Sequence, residues 1–413
     1  MHGSLLVTMK VLNSYVESNC AGTKGGTVKN TYQEEGDGMA DLQEIRKEID
    51  RIDTEIVKLF EERMECCKNV AESKIETGKK VFDQHREQQK IASVMAMTHN
   101  DLNAKGVEEL FGQIMSISRK LQYRLLAEHG IVEENTFTPV EELNRAAAKV
   151  VYQGIEGSYS YAAMLTFFGE EVENFHVDTF RAAMESIAKK EADYAVLPIE
   201  NSTAGIISEL YDLLKEFDNY IVGEQIVEVK HCLLAVPGTR KQDIQRIYSH
   251  PQSLRQSNGY LRQYPWQQIP MNNNAFAAQK VAAEGGKTSA AIASRYAGEL
   301  YGLEILEEGI NDNDRNSTRF IIVSSEKKYV KDAGKVSICF EIPNESGSLY
   351  KTLSHFIYNG INLCNIESRP IGRKNWEYCF FVDFEGNLEE DRVKNALSSL
   401  KQETRNLVVL GNY

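Results

Sequence analysis

Two positively charged side chains interrupt an apolar stripe near the start of the chain. Hydrophobic residues recur at steps of three and four between Leu42 and Leu59, a spacing typical of one face of a helix. Arg63 continues that series, and Lys74 follows about three helical turns later on the same face. A buried cation without a partner is costly. One such cation could pair with a nearby glutamate or extend its charged end to the surface. Two cations on one stripe instead favour a bound anion.

Polar residues also interrupt the apolar face of a helix predicted to begin at Val107. Ser118 and Gln122 lie one helical turn apart within that face, although each alone is typical of a satisfied polar residue in a core. Arg46 adds a geometric constraint, because it precedes Arg63 by 17 residues, or about 25 Å along one straight helix. Both arginines can bind one small ligand only if they come from two chains, which predicts an intertwined dimer.

Four short polar motifs follow, each beside a predicted strand. They are Gly154-x-x-Gly157-Ser158-Tyr159-Ser160, Pro198-Ile-Glu200-Asn201-Ser202-Thr203-Ala204-Gly205, Ser249-His250-Pro251-Gln252 and Asn316-Ser317-Thr318-Arg319-Phe320. The glycines and hydroxyls of the first motif suit an anion at a helix start, although the dinucleotide-binding fingerprint is incomplete. Helix N-capping is an alternative explanation of the second motif, which we place between a strand and a helix. A turn before a helix is the alternative for the third.

The elements around these motifs divide the chain into three regions. From Asp41 to about Gly130 there is no proline and the spacing is helical, which predicts a helical bundle. A polar stretch over residues 133–145 is typical of a linker. From Lys149 to about Lys331 short strands alternate with helices, as in an α/β domain. The last 80 residues show strand, helix, strand, strand, helix, strand, which is the ferredoxin-like order.

The composition limits the classes of function. The 413 residues carry a formal net charge of −13, which argues against nucleic acid or an anionic membrane surface as a partner. Seven cysteines without metal-ligand spacing predict reduced thiols, with neither a disulfide framework nor a zinc site. No apolar run is long enough to span a membrane, and residues 1–38 lack the apolar core of a signal peptide. We therefore expect a cytoplasmic protein with a loose N-terminal extension.

The helical region resembles the all-helical chorismate mutase family over its whole length. Every position of the family pattern holds the expected residue type, namely Arg46, Arg63, Lys74, Asp83, Arg86, Glu87, Ser118 and Gln122. The resemblance implies the rearrangement of chorismate to prephenate, which needs a dianion held in a compact conformer and donors aimed at its ether oxygen. It implies Lys74 and Gln122 beside that oxygen and Glu87 on the substrate hydroxyl. Ser118 would support a carboxylate, which guanidinium groups also bind well.

The four motifs, together with Asp193-Tyr-Ala-Val-Leu-Pro198, resemble prephenate dehydratase over about residues 149–324. The resemblance implies two α/β lobes, similar to periplasmic binding proteins, with the site in the cleft between them. The reaction expels CO₂ and the ring hydroxyl, and Thr318 is the implied donor to the leaving group. The other implied substrate residues are Gly157, Ser158, Ser160, Glu200, Asn201, Ser249, Gln252 and Arg319. The acid that finally protonates the hydroxide stays open between Glu200, His231 and His250, with His231 mainly structural.

Two loops of the last region resemble the ACT regulatory domain of prephenate dehydratases. They contain Gly347, Ser348, Leu349 and Tyr350 in the first loop and Glu367, Ser368, Arg369 and Pro370 in the second. The resemblance implies that both loops bind phenylalanine at a dimer interface. Ser348 and Tyr350 depart from the usual Gly-Ala-Leu-Val of the first loop. A plain ferredoxin-like dimerisation module is the alternative.

These resemblances identify the chain as a member of the bifunctional chorismate mutases/prephenate dehydratases. They imply a homodimer or higher homo-oligomer that binds chorismate and prephenate and is inhibited by phenylalanine. Neither step is redox or hydrolytic, so we expect no metal or organic cofactor. The expected domains are an extension (1–38), the mutase (39–130), a linker (131–147), the dehydratase (148–326) and the ACT domain (334–413). The alternatives are an amino-acid sensor that retains one of the two activities, and a solute-binding protein with a two-lobed cleft.

Overall fold

The computed structural model describes residues 42–131, 136–371 and 377–413, and the predicted extension over residues 1–38 lies outside them. Three helices come first, α1 (Leu42–Thr77), α2 (Gln84–Met95) and α3 (Asp101–Glu128). The α1 helix follows the apolar spacing of the sequence. The α3 helix begins at Asp101, earlier than the predicted Val107, because Asn100 caps it and accepts the N–H of Asn103 at 2.8 Å.

The chain divides after Glu62 into two compact units. The first unit contributes residues 42–62 of α1. Their apolar stripe is exposed to solvent, from 42% for Ile52 to 62% for Leu59. An apolar helix face of this length normally packs against another surface. The second unit contains all the remaining helices and strands of the part of the chain that the structure describes.

Two sheets make up the α/β region of the second unit. The strands of the first are β2 (Lys149–Gln153), β3 (Glu173–Val177), β4 (Tyr194–Asn201), β5 (Gly205–Ile206), β6 (Tyr220–Glu228) and β12 (Ser317–Ser324). Its strand order is β6-β12-β4-β2-β3, with β5 paired to β4. Helices α4 (Tyr159–Phe168), α5 (Phe180–Ala188) and α6 (Ser208–Glu216) belong to it. The predicted alternation of strands and helices is therefore confirmed.

The second sheet has the strand order β11-β7-β10-β8-β9. Its strands are β7 (Cys232–Ala235), β8 (Arg246–Ser249), β9 (Gln267–Pro270), β10 (Ser289–Ala293) and β11 (Glu304–Glu308). Its helices are α7 (Pro251–Gln256), α8 (Asn258–Leu261), α9 (Asn274–Glu284) and α10 (Arg295–Leu300), with a 3₁₀ turn at Lys241–Asp243. Each sheet has its own buried apolar clusters. The α/β region therefore consists of two lobes.

Two predicted loop regions contain strands. Within the predicted linker, β1 (Thr138–Val140) pairs in parallel with β13 (Lys328–Val330). Both strands of a two-stranded sheet are edge strands. Pro139 is tolerated there because a residue of an edge strand can direct its backbone nitrogen away from the partner strand, where no N–H donor is required. The second polar motif also begins inside a strand, since Pro198 to Asn201 belong to β4. A bulge in β4 beside Pro198, which has no N–H to donate, leaves Ile199 as the extra residue between the Arg319–Glu200 and Phe320–Pro198 pairs.

The C-terminal region has the predicted order of elements. These are β14 (Lys335–Ile342), α11 (Ser348–Tyr358), β15 (Leu363–Pro370), β16 (Tyr378–Glu385), α12 (Asp391–Glu403) and β17 (Arg405–Asn412). The strands form an antiparallel sheet in the order β15-β16-β14-β17, as in ferredoxin-like folds.

The C-terminal sheet continues into the first sheet of the α/β region. The connection is a parallel pairing of Gly411 in β17 with Ile221 in β6. A Cβ atom on Gly411 would lie 2.0 Å from the Ile221 carbonyl oxygen, so only glycine permits this approach. One buried apolar cluster also contains residues of both regions, such as Ile321 and Phe381. Among the described helices, none is long and apolar enough to cross a bilayer.

Candidate active sites

The first candidate site lies among the three helices. The Arg63 Nη1 atom donates to the Ser118 hydroxyl at 2.5 Å, and the Lys74 Nζ atom donates to the Gln122 Oε1 atom at 2.9 Å. Lys74 also donates to the Val81 carbonyl at 2.8 Å. The two cations of the apolar stripe therefore meet the two polar residues of α3, which lie 55 and 48 positions away in the chain. Arg46 belongs to the other unit and is exposed.

Helix α2 brings a carboxylate to this cluster. Asp83 is its N-cap and accepts the N–H of Arg86 at 3.0 Å, so this aspartate has a structural role. Glu87 follows in the first turn, and the negative charges of Asp83 and Glu87 act on Lys74. Burial nevertheless lowers the pKa of Lys74 below its usual value, in spite of both carboxylates. The Lys74 ammonium therefore loses its proton more readily than an exposed lysine.

An arginine that the sequence analysis did not single out holds Glu87. The Arg119 Nη1 atom lies 2.6 Å from each of the two Glu87 carboxylate oxygens. Arg119 follows Ser118 directly on α3, and its side chain is 7% exposed. Its only signal in the sequence is its position one turn before Gln122 and Tyr123.

The second candidate site lies where β4 and β12 run side by side. The Asn201 Oδ1 atom accepts the backbone N–H groups of Thr203 and Ala204 at 3.1 and 2.9 Å, which fixes the orientation of the amide. The Asn201 Nδ2 atom therefore faces Thr318 and donates to its Oγ1 atom at 2.9 Å. Because an amide nitrogen only donates, the Thr318 oxygen accepts this bond, and its own proton remains for another acceptor.

A chain of polar residues continues from Asn201 into the second lobe. The Gln256 Nε2 atom, on α7, donates to the Thr203 hydroxyl at 2.5 Å, and the Gln256 Oε1 atom lies 3.0 Å from His231. The other ring nitrogen of His231 lies 3.1 Å from the Tyr159 hydroxyl. Burial lowers the pKa of His231, so the ring is neutral at pH 7. Gln256 was missed in the sequence, where its only signal is a position one turn after Gln252.

Glu200 and Arg319 lie on the opposite face of the same two strands. Successive side chains of a strand alternate between faces, and Thr318 pairs in register with Asn201 just as Arg319 pairs with Glu200. The Arg319 Nη2 atom donates to Asp383 of the C-terminal region at 2.8 Å. Burial lowers the pKa of Arg319, but its interactions with Tyr413 and Asp383 outweigh this and raise the pKa. The structure therefore does not bring these two predicted substrate residues to Thr318.

The loop after β2 is shaped by its glycines and by a helix cap. Ser158 is buried and caps α4, accepting the N–H of Tyr161 at 3.2 Å, and Ser160 is also buried. Gly157 has a left-handed φ of +86°, and a Cβ atom there would lie 3.3 Å from Ala297 of the second lobe. The Gly157 carbonyl accepts the Ser294 hydroxyl at 3.1 Å. The loop therefore also joins the two lobes.

The Ser249–Gln252 motif lies at the start of α7. The Ser249 hydroxyl is fully buried, 2.7 Å from the Ile292 carbonyl and 2.9 Å from the Asn274 Oδ1 atom. His250 caps α7 through its ring, and burial followed by the charge of Arg255 lowers its pKa. The Gln252 Oε1 atom accepts from Arg255 on the same helix. These contacts fit the alternative of a turn before a helix for this motif.

The two C-terminal loops emerge at one edge of their sheet. Ile342 at the end of β14 and Pro370 at the end of β15 both pair with Tyr378, so the two strand ends flank one residue. Gly347 precedes α11 with a left-handed φ of +79° and open space at its Cβ position. Arg369 donates to Asp212 of α6 at 2.8 Å.

Burial raises the pKa of Glu367. The positive charge of Arg369 lowers this pKa, and the negative charge of Glu200 raises it. Glu200, from the second polar motif, therefore lies close to the Glu-Ser-Arg-Pro segment of residues 367–370.

The helices and the two lobes define the class of protein. Residues 45–123 match the family model of chorismate mutase type II, and residues 150–328 match that of prephenate dehydratase. A bifunctional chorismate mutase/prephenate dehydratase of Aquifex aeolicus (strain VF5) is 32% identical over 378 residues, which cover 91% of this chain and 98% of that protein. The chain thus belongs to the bifunctional chorismate mutases/prephenate dehydratases.

Solved structures agree with this membership. A prephenate dehydratase from Arthrobacter aurescens in complex with L-Phe has a TM-score of 0.60 and 28% identity, over 64% of this chain and 89% of that one. A chain named GqqA, described as a novel type of quorum quenching acylase, has a TM-score of 0.59 and 31% identity, over 64% of this chain and 96% of that one. Proteins with different functional descriptions therefore share this fold.

Proposed function

We propose that the Arg63–Ser118 and Lys74–Gln122 pairs bind chorismate and rearrange it to prephenate. The supporting observation is that two partly buried cations face two polar side chains far away in the chain. Such a group of donors holds a dianion in its compact conformer and stabilises the negative charge that develops on the ether oxygen. Glu87 keeps lone pairs that can accept the substrate hydroxyl. Arg46 enters the site from a second chain, whose α1 covers the exposed apolar stripe of residues 42–62.

The lowered pKa of Lys74 leads to a prediction about pH. The mutase is expected to lose kcat/KM at alkaline pH, at a value below the usual lysine pKa, because the free enzyme loses the Lys74 proton. Bound substrate carries two carboxylates that favour the charged ammonium, so the corresponding decline in kcat is expected at higher pH. Rate profiles for the unchanged chain and for Lys74→Arg test this. The role of Lys74 would be contradicted if kcat/KM and kcat declined at the same pH. It would also be contradicted if the pH profile of Lys74→Arg matched that of the unchanged chain.

The dehydratase reaction is proposed to take place beside Thr318. Prephenate loses CO₂ and its ring hydroxyl, and the electron pair of the breaking C–C bond completes the aromatic ring as hydroxide leaves. The Thr318 proton, which the Asn201 contact does not use, hydrogen-bonds the departing oxygen and stabilises its charge. The buried Ser158 and Ser160 at the start of α4 bind a substrate carboxylate. Gln256 and Thr203 hold Asn201, and through it the orientation of the Thr318 hydroxyl.

The C-terminal region is proposed to be an ACT domain that binds phenylalanine. The topology of its sheet and the meeting of the 347–350 and 367–370 loops beside Tyr378 support this assignment. The L-Phe complex of the similar dehydratase supports the choice of ligand. The effect of phenylalanine bound at these loops is transmitted to the dehydratase through the face of β4 and β12 that carries Glu200 and Arg319. Phenylalanine must therefore favour a low-activity arrangement of the Arg319–Asp383 junction.

Asp383→Asn tests this route of inhibition. Phenylalanine is expected to bind the full chain and to inhibit the dehydratase. In Asp383→Asn it should still bind but inhibit less, because the junction no longer pairs Arg319 with a charge. Calorimetric titration and dehydratase rates at rising phenylalanine measure both effects, with Asp391→Asn as an exposed control in the same region. Inhibition that is competitive with prephenate and undiminished in Asp383→Asn would place the effector in the catalytic cleft instead.

A further inference from the structure

Arg119 is shared between two carboxylates from different parts of the chain. Its Nη1 atom contacts Glu87 of α2, while its Nε and Nη2 atoms donate to the two oxygens of Glu403 at 2.7 and 3.2 Å. Glu403 is the last residue of α12 in the C-terminal region. A guanidinium has five N–H donors in one rigid plane, and this geometry lets it hold two carboxylates at once. A lysine could not reproduce both contacts.

The contact to Glu87 leaves that carboxylate available for a ligand. A single nitrogen of Arg119 approaches both oxygens, so each oxygen keeps a lone pair that can accept from a substrate hydroxyl. The Glu87 side chain is 23% exposed, whereas that of Arg119 is 7% exposed. The guanidinium lies over the ring of Phe82, 5.1 Å from the ring centroid. Arg119 therefore orients Glu87 while both carboxylate oxygens keep acceptor capacity for a ligand.

The opposite side of Arg119 is held by a buried network of the C-terminal region. Glu403 is 10% exposed, and its second oxygen lies 3.1 Å from a ring nitrogen of the fully buried His355 on α11. Burial raises the pKa of Glu403, but the contacts with His355 and Arg119 outweigh this and hold the pKa at about 2. Glu403 is therefore ionised at neutral pH, and its position is fixed by both C-terminal helices. The orientation of Arg119 depends on that position.

We propose that Arg119 is a positioning residue of the mutase, which holds Glu87 in its substrate-binding orientation and is itself anchored by Glu403 of the C-terminal region. The inference rests on the proposed role of Glu87 in binding the chorismate hydroxyl. It extends that role, because it makes the C-terminal region a structural part of the mutase site. Arg119 itself touches neither substrate nor reacting atoms.

A double-mutant cycle on the full chain tests the inference. Arg119→Gln is expected to lower mutase kcat/KM on the order of a hundredfold, the effect of misplacing a binding group by about 1 Å. In a chain that already carries Glu87→Ala, adding Arg119→Gln should change the rate little, because no carboxylate remains to be positioned. Glu403→Gln, which keeps the Glu87 contact, should give a smaller loss. Arg124→Gln, an exposed cation on the same helix, is the control and should leave the mutase unchanged.

The dehydratase rate of each sample shows whether the chain is folded. If Arg119→Gln loses this rate as well, the cycle is run with Arg119→Lys, which keeps the charge but not the double contact. Equal losses from the Arg119 substitution with and without Glu87 would overturn the inference while leaving the proposed role of Glu87 intact. A Glu87→Ala chain with unchanged mutase activity would overturn both. A loss confined to the chain that retains Glu87 supports the inference.

Discussion

Replacing Thr318 with alanine is expected to lower the dehydratase kcat by two to three orders of magnitude, roughly the loss that follows removal of one donor to a developing negative charge. KM for prephenate should change little, because a hydroxyl that assists departure acts mainly in the transition state. Steady-state rates of phenylpyruvate formation from added prephenate measure both parameters. Thr318→Ser, which keeps a hydroxyl at the same position, is the matched control and should retain much more activity.

The mutase activity of the same Thr318→Ala chain should be unaffected, since its residues lie on separate helices. A rise in KM with kcat preserved would make Thr318 a binding residue and would contradict the proposed role. The contact with Asn201 gives a second check. Because the Asn201 amide fixes the direction of the Thr318 proton, Asn201→Asp, whose carboxylate accepts instead of donating, should also lower kcat.

Arg63→Ala is expected to reduce mutase kcat/KM on the order of a thousandfold or more, since a charged hydrogen bond to a carboxylate and its alignment are both lost. Arg63 lies half-buried against Ser118. The chain should stay folded, and added prephenate should still be converted to phenylpyruvate. A coupled loss of both activities would instead indicate a structural role for Arg63. Lys68→Ala on the same helix removes an exposed cation paired with Glu65 and is the control.

Mixing two inactive variants tests whether the mutase site is shared between chains. Arg46→Ala and Arg63→Ala chains should each be inactive, and a mixture under subunit-exchange conditions should regain part of the mutase activity. In a mixed dimer, one of the two sites would receive both of its arginines. Demonstrated exchange without any recovery would contradict the shared site.

The apolar spacing of α1 predicted both the helix and its cations. Arg63 and Lys74 could be recognised because a charge within an apolar stripe is costly unless it has a partner. Ser118 and Gln122 could be recognised in the same way, because they interrupt the stripe of another helix, but their contacts with Arg63 and Lys74 were not predicted. Arg119 gave no such signal, because it does not interrupt the apolar series of α3 and no local pattern links it to Glu87 or to Glu403, which is 284 positions away. A long-range contact of this kind has no local pattern.

The polar motifs of the α/β region show a different limit. Once a segment is known to be a strand, alternation alone places neighbouring residues on opposite faces. From the sequence, Glu200 and Asn201 were predicted in a loop, where this rule does not apply, and in one site. The structure extends β4 through Asn201, so Glu200 joins Arg319 at the C-terminal junction. The extension and its bulge at Ile199 of β4 depend on pairing with β12, which is distant in the sequence.

The central claim is that one chain holds two separate active sites that act in sequence. A coupled assay with chorismate as the only substrate, which follows prephenate and then phenylpyruvate, tests it most directly. We expect the unchanged chain to form phenylpyruvate, Thr318→Ala to accumulate prephenate, and Arg63→Ala to form neither from chorismate while still converting added prephenate. Failure of the unchanged chain to form phenylpyruvate from chorismate, or loss of both activities in each variant, would contradict the claim.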